Sequence, residues 1–510
     1  MPVIMASYII IMMSGMLLIY DDFYYNILET KYKYYTTCTA VMIGVTCIYL
    51  FFMSHPLQAI KDNKEKKLLE IVSPADIAVL FWGIIIILST LFSPVKKYAF
   101  SGSAGRYTGC LLLLTYIAAY FCITRFYKAK EWHMAIFLAA AMLMCLFGIT
   151  DFFDMDLLKF KEEIKEIQRY MFTSTIGNIN TYTSCVAMVM AFAGVMFAAS
   201  DNVKRAAGYG ICTFISFVAL IVGESDNAYL SLAAFFGLLP LYLFRNRTGI
   251  KRYFVLIAGF FTAAKWVAVI QEAMPEQVIP IDGLFQIIAD YKYLTQIVIC
   301  LWCITIVCYV IDYVMSKSGR TGTVSPWLAR GWLMIVILAI IMAVYIFYDV
   351  NIKGNAEKYG SLQTYLLFND DWGTHRGYIW RIGVEDYNKF PPLQKLFGYG
   401  PDTFGIVTKL NNYPEMVERY YENFDSAHNE YLQYLVTIGP LGLLAYLAIH
   451  VSAVWQVVKE KLSHPICVAS LFAVLCYAFQ AAVNINQPIA TPVMWTFLAI
   501  SLSRTEKAGR

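Results

Sequence analysis

The sequence predicts an all-α polytopic membrane protein of about fourteen transmembrane helices, with one large loop outside the membrane. Three observations predict it. Of 510 residues, 59% are hydrophobic and 15% charged, against about 25% charged in an ordinary soluble domain. Apolar runs of about 18 residues or more, enough to cross the hydrocarbon of a bilayer, recur along the whole length. The polarity is gathered into one stretch, residues 349–430, in which 20 of 82 residues are charged.

The spans centre on residues 3–20, 36–54, 74–92, 107–124, 133–150, 181–199, 207–223, 228–244, 253–270, 293–315, 332–348, 431–455, 465–483 and 488–503. The first has no basic start and no small-residue cleavage site, so it reads as a retained span and not a signal peptide. The chain thus divides into residues 1–348 with eleven spans, a cap loop at 349–430, and residues 431–510 with three spans and a tail. Basic residues set the orientation, because Lys and Arg accumulate on the cytoplasmic side of short loops. Lys61, Lys64, Lys66 and Lys67, then Arg125, Lys128 and Lys130, then Arg245, Arg247, Lys251 and Arg252, and finally Arg504, Lys507 and Arg510 fall on one side. With that side inside, both termini are cytoplasmic and the cap loop is outside.

Several function classes fall away. The twelve cysteines all lie within apolar spans, which argues against a disulfide framework in the loop. Cys300 and Cys303 form a C-x-x-C inside a span with no nearby His or acid, as small buried hydrophobes would. No phosphate-binding Gly-Lys-Ser/Thr loop, zinc motif or basic nucleic-acid patch occurs, so neither a metal nor a cofactor is expected. The net charge of +4 discriminates little.

Within the cap, Leu362–Leu367 reads as a short strand or helix, and Asp370-Asp371 with Gly373 as a turn. His375 to Lys389 reads as an amphipathic helix ended by Pro391-Pro392. Leu396 to Pro401 is a Gly-rich turn, and Asn411–Asp425 is a polar helix or loop leading to Asp425-Ser-Ala-His428-Asn429-Glu430. Polar side chains at the lip of a bilayer are expensive and mark function. Arg376 and Arg381 suit a diphosphate, because the planar guanidinium binds phosphate oxygens bidentately and stays charged. His428 can take a proton from an attacking hydroxyl, its unperturbed pKa lying near working pH. Glu430 or Asp425 can orient the imidazole, and His375 is a further candidate at this face. On spacing alone, Arg376 and Arg381 also fit a solvated helix face. His428 also fits an interfacial helix cap with Asp425 or Ser426 as N-cap. Gly398 and Gly400 are too few for a dinucleotide fingerprint and fit a structural turn.

The order Arg376-x-x-x-Trp380, Gly398-x-Gly400-x-x-x-Phe404, Ala427-His428-Asn429-x-x-Leu432 and Gly439-x-x-Gly442 resembles the signature block of the O-antigen ligase and O-antigen polymerase superfamily. Gly177-Asn178-x-Asn180 resembles the family's Gly-Asn-x-Asn element, and Ser101–Gly109, with Arg106, a weaker one. The resemblance implies a C-type glycosyltransferase fold in a bacterial cytoplasmic membrane. It implies transfer or polymerisation of glycan from a polyprenyl-diphosphate-linked oligosaccharide onto an acceptor hydroxyl of a glycan, lipid or protein, with no metal and no nucleic acid involved. Arg376 then holds the diphosphate and His428 activates the acceptor. Asn429, Glu430, Trp380, Asp425 and Asn178 support them. A charge-lined cavity facing the outer leaflet is the structural consequence.

One departure stands out. Where many relatives carry Thr-x-Ser-Arg, this chain reads Gly223-Glu224-Ser225-Asp226-Asn227, with acids and no arginine, and Arg106 is the expected replacement. A lipid-linked oligosaccharide flippase also has twelve to fourteen spans but would show internal repeats and buried charge in them, and an inactive binding member would tolerate loss of His428. The predicted orientation is checked with a single added cysteine at Glu357 in a cysteine-free background. A membrane-impermeant maleimide should label it in intact cells, and labelling only after lysis would invert the topology.

Overall fold

The computed structural model describes residues 1–53, 72–103, 105–319, 322 and 324–503. Lys61, Lys64, Lys66 and Lys67, and Arg504, Lys507 and Arg510, on which part of the predicted orientation rests, lie outside them. Each of the fourteen predicted segments falls on a helix. Ten of these helices are long and apolar enough to cross a membrane, and Pro2–Leu18, Cys110–Phe126, Asn227–Leu243 and Thr491–Leu502 are shorter apolar helices. The chain is an all-α polytopic membrane protein. Among the described residues the one sheet is a two-stranded antiparallel pair, Phe172–Thr173 with Gly177–Asn178.

Ile179–Ala199 is the central helix. It is apolar all round, as a helix buried on every face must be, and it packs against Val203–Val222 and Pro465–Gln480. Thr491–Leu502 is buried along its whole length. Leu294–Lys317 and Trp327–Asn351 are the opposite case. Each lies against one side of the bundle, on Arg247–Ala273 and Asn227–Leu243 respectively, and leaves most of its apolar surface exposed, which suits lipid. All twelve cysteines are free and lie within helices.

The helix Glu430–Glu460 breaks at Gly439, whose backbone (φ 72°, ψ 177°) only glycine adopts readily, followed by Pro440. Proline lacks the N–H that the Val436 carbonyl would otherwise accept, and the break also frees the Thr437 carbonyl. An unsatisfied carbonyl inside an apolar bundle costs several kcal/mol by about the estimate for lipid-buried polar groups. The cap supplies the missing donors. Tyr399 N–H donates to Val436 O at 3.0 Å and Gly400 N–H to Thr437 O at 2.8 Å. Ser89 Oγ also donates to Thr437 O (2.9 Å) and Ser93 Oγ to Tyr399 O (2.7 Å), bringing in the helix Pro74–Phe92. The Leu396–Pro401 turn is therefore a clamp, and its glycines have a steric cause: a Cβ at Gly398 would lie 2.3 Å from the Thr437 backbone.

The cap itself is helical. Leu362–Leu367 forms no strand: a 3₁₀ segment at Ala356–Leu362 runs into a single turn, Gln363–Leu366. The predicted amphipathic helix is Trp372–Lys389, but Gly373, Thr374 and His375 are left-handed, so regular helix begins at Arg376. A further helix spans Phe404–Tyr420, and residues 421–429 form the loop carrying His428. Tyr378, Ile379, Ile382, Phe404 and Val407 form the cap's own core.

Gly439→Ala tests the clamp. It adds a Cβ 2.2 Å from Leu396 O and forces a backbone that costs about 1–3 kcal/mol for a non-glycine residue. The variant should melt lower than wild type in detergent, and an unchanged melting temperature would show that the break is not a constraint.

Candidate functional site

The site lies where the 421–429 loop enters Glu430–Glu460. Asn429 is the N-cap, its Oδ1 accepting from Tyr431 N and Leu432 N at 3.0 Å each. This corrects the expected cap at Asp425 or Ser426. Asn satisfies two orphan amides of the first turn, leaving both earlier side chains free for other bonds. Ala427 is fixed from both sides: its N–H donates to Gln433 Oε1 and its carbonyl accepts from Trp380 Nε1, each at 2.9 Å. His428 follows with φ 47°, a left-handed conformation that turns it out of the helix direction, and is partly buried.

Three other segments meet this loop. Arg106 places Nε 3.0 Å from Asp425 Oδ2 and Nη2 2.6 Å from Oδ1, a bidentate pair. The Ser103–Thr108 loop that presents it hangs on Asp402, which accepts from Ser103 N (2.6 Å), Ser103 Oγ (3.1 Å) and Thr108 N (3.1 Å). Burial pushes the Asp402 carboxyl up, and these bonds hold it back. Arg376 comes from the first regular turn of its helix and makes no hydrogen bond or ion pair among the described residues. Asp226 is its longer-range counter-charge: burial lowers the guanidinium's basicity and Asp226 opposes that. Burial likewise raises Asp226, opposed by the Leu284 N–H and by Arg376. The Glu224–Asn227 turn is in its turn tied to the Gly-Asn-x-Asn element, with Ser225 Oγ donating to Asn180 Oδ1 at 2.6 Å and Asn227 Nδ2 to Asn180 O at 2.9 Å.

The electrostatics converge on His428. Burial pushes its pKa down to about 4, the positive charges of Arg376 and Arg106 push the same way, and Asp425 opposes them. The imidazole is therefore neutral at pH 7, with a free lone pair, beside two guanidinium groups. Glu224 is pushed up to about 7 by burial and by Asp282, with Lys161 opposing.

Of the residues singled out in the sequence, His428, Arg376, Arg106, Asp425, Trp380 and Asn429 come together. Arg381 does not join them. Asp370 holds it at 3.0 Å through both Nε and Nη2, and Glu385 and Glu415 complete a surface network shared with Arg419, as a solvated helix face does. His375 packs against Tyr420, ring centroids 4.5 Å apart, and Phe424. Glu430 does not orient the imidazole: it points into the bundle, accepting from Tyr446 Oη (2.8 Å) and Tyr477 Oη (2.9 Å), because the first helical turn carries it to the buried face. Asn178 is an N-cap, accepting from Asn180 N at 2.9 Å, and Asn180 makes the contact to the acidic turn. Asp402 is not legible in the sequence as a site residue, because its role is a contact across 299 residues; Asp226 stands out there only as part of the acidic departure at Gly223–Asn227. A space of about 20 Å³ beside Arg106, Asp425 and Ser426 has room for a water, and neither Arg376 nor His428 lines it.

The O-antigen ligase family model matches residues 293–447. Over those residues the chain is similar to the O-antigen ligase family. The match begins at the exposed helices Leu294–Lys317 and Trp327–Asn351, covers the entire cap and ends just past the Gly439 break, so it includes Arg376, Asp425 and His428 but not Arg106 or Asp226. No curated protein matches the chain.

Because its folded pKa lies below that of a free imidazole, His428 stays neutral as the pH falls through 6.5 and takes up its proton only near pH 4. Histidine-labelled protein should show that ring titrating near pH 4 by NMR, and Arg376→Gln should raise the midpoint. A midpoint near 6.5 in the wild type would remove the electrostatic account.

Proposed function

We propose that this chain is a glycosyltransferase that moves glycan from a polyprenyl-diphosphate donor onto an acceptor hydroxyl, at the outer face of a bacterial cytoplasmic membrane with both termini inside. The observation that carries this reading is the pairing of a neutral, partly buried His428 with an arginine that has no direct partner among the described residues. Arg106, Arg381 and Arg419 are each bonded to a carboxylate, whereas Arg376 is left with Asp226 at longer range. A partly buried cation with no bonded carboxylate is costly, and a doubly charged leaving group is the anion that would relieve it.

In the proposed reaction the acceptor oxygen attacks the anomeric carbon of the donor sugar from the face opposite the diphosphate. The new C–O bond forms as the bond to the phosphate oxygen breaks, and that electron pair leaves with the polyprenyl diphosphate. The acceptor proton goes to the free ring nitrogen of His428. Diphosphate binding offsets the charge of Arg376, removing one of the effects that hold the imidazole's basicity down, so the base strengthens when the donor is in place. Arg106 contributes less charge than the sequence implied, since Asp425 neutralises it. Its main work in this reading is to fix the His428 loop. Neither metal nor cofactor enters the scheme, and ligase and polymerase differ only in the acceptor.

The test is reconstitution in proteoliposomes with an undecaprenyl-diphosphate oligosaccharide, with products separated on gels. Wild type should give a ladder or a new conjugate. His428→Ala should lose about 10²–10⁴-fold, the usual span for a positioned base, and Arg376→Ala about 10²–10³-fold, as for loss of an electrostatic stabiliser. Arg106→Ala should lose less than Arg376→Ala. Intact donor in every case, with glycan moved between leaflets, would make the protein a flippase.

A further inference from the structure

Beside Arg376 stands a group of aromatic side chains that the transfer chemistry does not use. Phe368, Trp372 and Trp380 have ring centroids 5.3–5.8 Å apart in all three pairs. None of the three is fully buried, and Phe368 is 38% exposed. Both indole N–H groups are spent on backbone carbonyls, Trp372 on Tyr365 O at 2.8 Å and Trp380 on Ala427 O at 2.9 Å. The rings are therefore held in fixed planes with their faces, not their donors, available. Phe368 is held too, its N–H donating to Asn351 Oδ1 at 2.7 Å.

Trp380 follows Arg376 by four residues in regular helix, so the two side chains rise from the same helix face about 6 Å apart. That is close to the separation between a diphosphate and the centre of the pyranose ring bonded to it. Asp226, the counter-charge of Arg376, lies close by: its Oδ1 and the Tyr365 hydroxyl both face Gly283, at 3.0 and 3.6 Å from where a Cβ would stand, and the Tyr365 carbonyl holds Trp372. Aromatic faces next to a carboxylate and a hydroxyl are what a pyranose needs: its C–H face packs on the rings and its equatorial hydroxyls donate to the acid. An isoprenoid tail would use the rings but not the acid.

We infer that Phe368, Trp372 and Trp380, with Asp226 beside them, form the subsite for the first pyranose ring of the donor glycan, next to the diphosphate held at Arg376. The inference rests on the proposed glycosyl transfer and adds the residues that select the sugar.

The probes are lipid-linked oligosaccharide extracted from the producing cells and undecaprenyl diphosphate without sugar, the second used as a competitor. Phe368→Ala, Trp372→Ala and Asp226→Asn should each raise KM for the glycosylated lipid about 10-fold or more, the worth of one stacked or hydrogen-bonded contact, with smaller changes in kcat. Trp372→Phe should recover most of the loss. None of these three should weaken competition by the sugar-free lipid, whereas Arg376→Ala should. Equal weakening of both lipids in the aromatic variants, or an unchanged KM, would overturn the subsite while leaving the transferase reading intact. A wild type that binds both lipids yet transfers nothing would instead overturn the transferase reading and the subsite with it.

Discussion

The two carbonyls freed at Gly439 and Pro440 are the constraint on which the rest of the molecule depends. In an apolar bundle they must be satisfied from within the protein, and the donors come from Tyr399 and Gly400 of the cap. That pairing fixes the cap on the bundle, and the consequences run outward along the chain. The Gly-rich turn leads directly to Asp402, Asp402 holds the Ser103–Thr108 loop, that loop presents Arg106, and Arg106 grips Asp425 three residues before His428. A helix defect thus does the work of a domain interface.

The same region gathers unfavourable backbone. Tyr107, Glu224, Thr374, His375, Asp402 and His428 are non-glycine residues with positive φ, and each is a site residue or an immediate neighbour of one in sequence or space. Such conformations cost of order 1–3 kcal/mol apiece and persist only where the surroundings over-determine them. Here the over-determination is visible as bonds to side chains: Asp402 to two backbone amides, Ala427 gripped on both faces, Ser225 and Asn227 tied to Asn180. The strain is borne by the loops and by the irregular first turn of Trp372–Lys389.

Charges are partnered in the same way. The exposed Arg381 and Arg419 of the cap are neutralised by three and two carboxylates, contacts that solvent screens and that add little to stability. The inward-facing Glu430 is satisfied by tyrosine hydroxyls and not by a cation, which stiffens the first turn below His428. At Arg376 a partly buried positive charge is left without a direct bond among the described residues, and a neutral imidazole stands near it.

The sequence by itself determined the membrane class, the helical segments, the single polar cap and the residues of the histidine motif. These depend on local composition and periodicity, because burial in lipid demands continuous apolar helix and polar groups at the bilayer edge stand out against it. It could not tell Arg376 from Arg381, which have the same chemistry five residues apart on one helix. Only the tertiary structure separates them, by bringing Asp370, Glu385 and Glu415 to one and leaving the other beside Asp226. It could not assign Glu430, since which face of the first turn enters the bundle depends on where the helix packs. Nor could it pair Asp402 with Ser103 or Arg106 with Asp425, contacts between segments about 300 residues apart that are made by the docking of the cap.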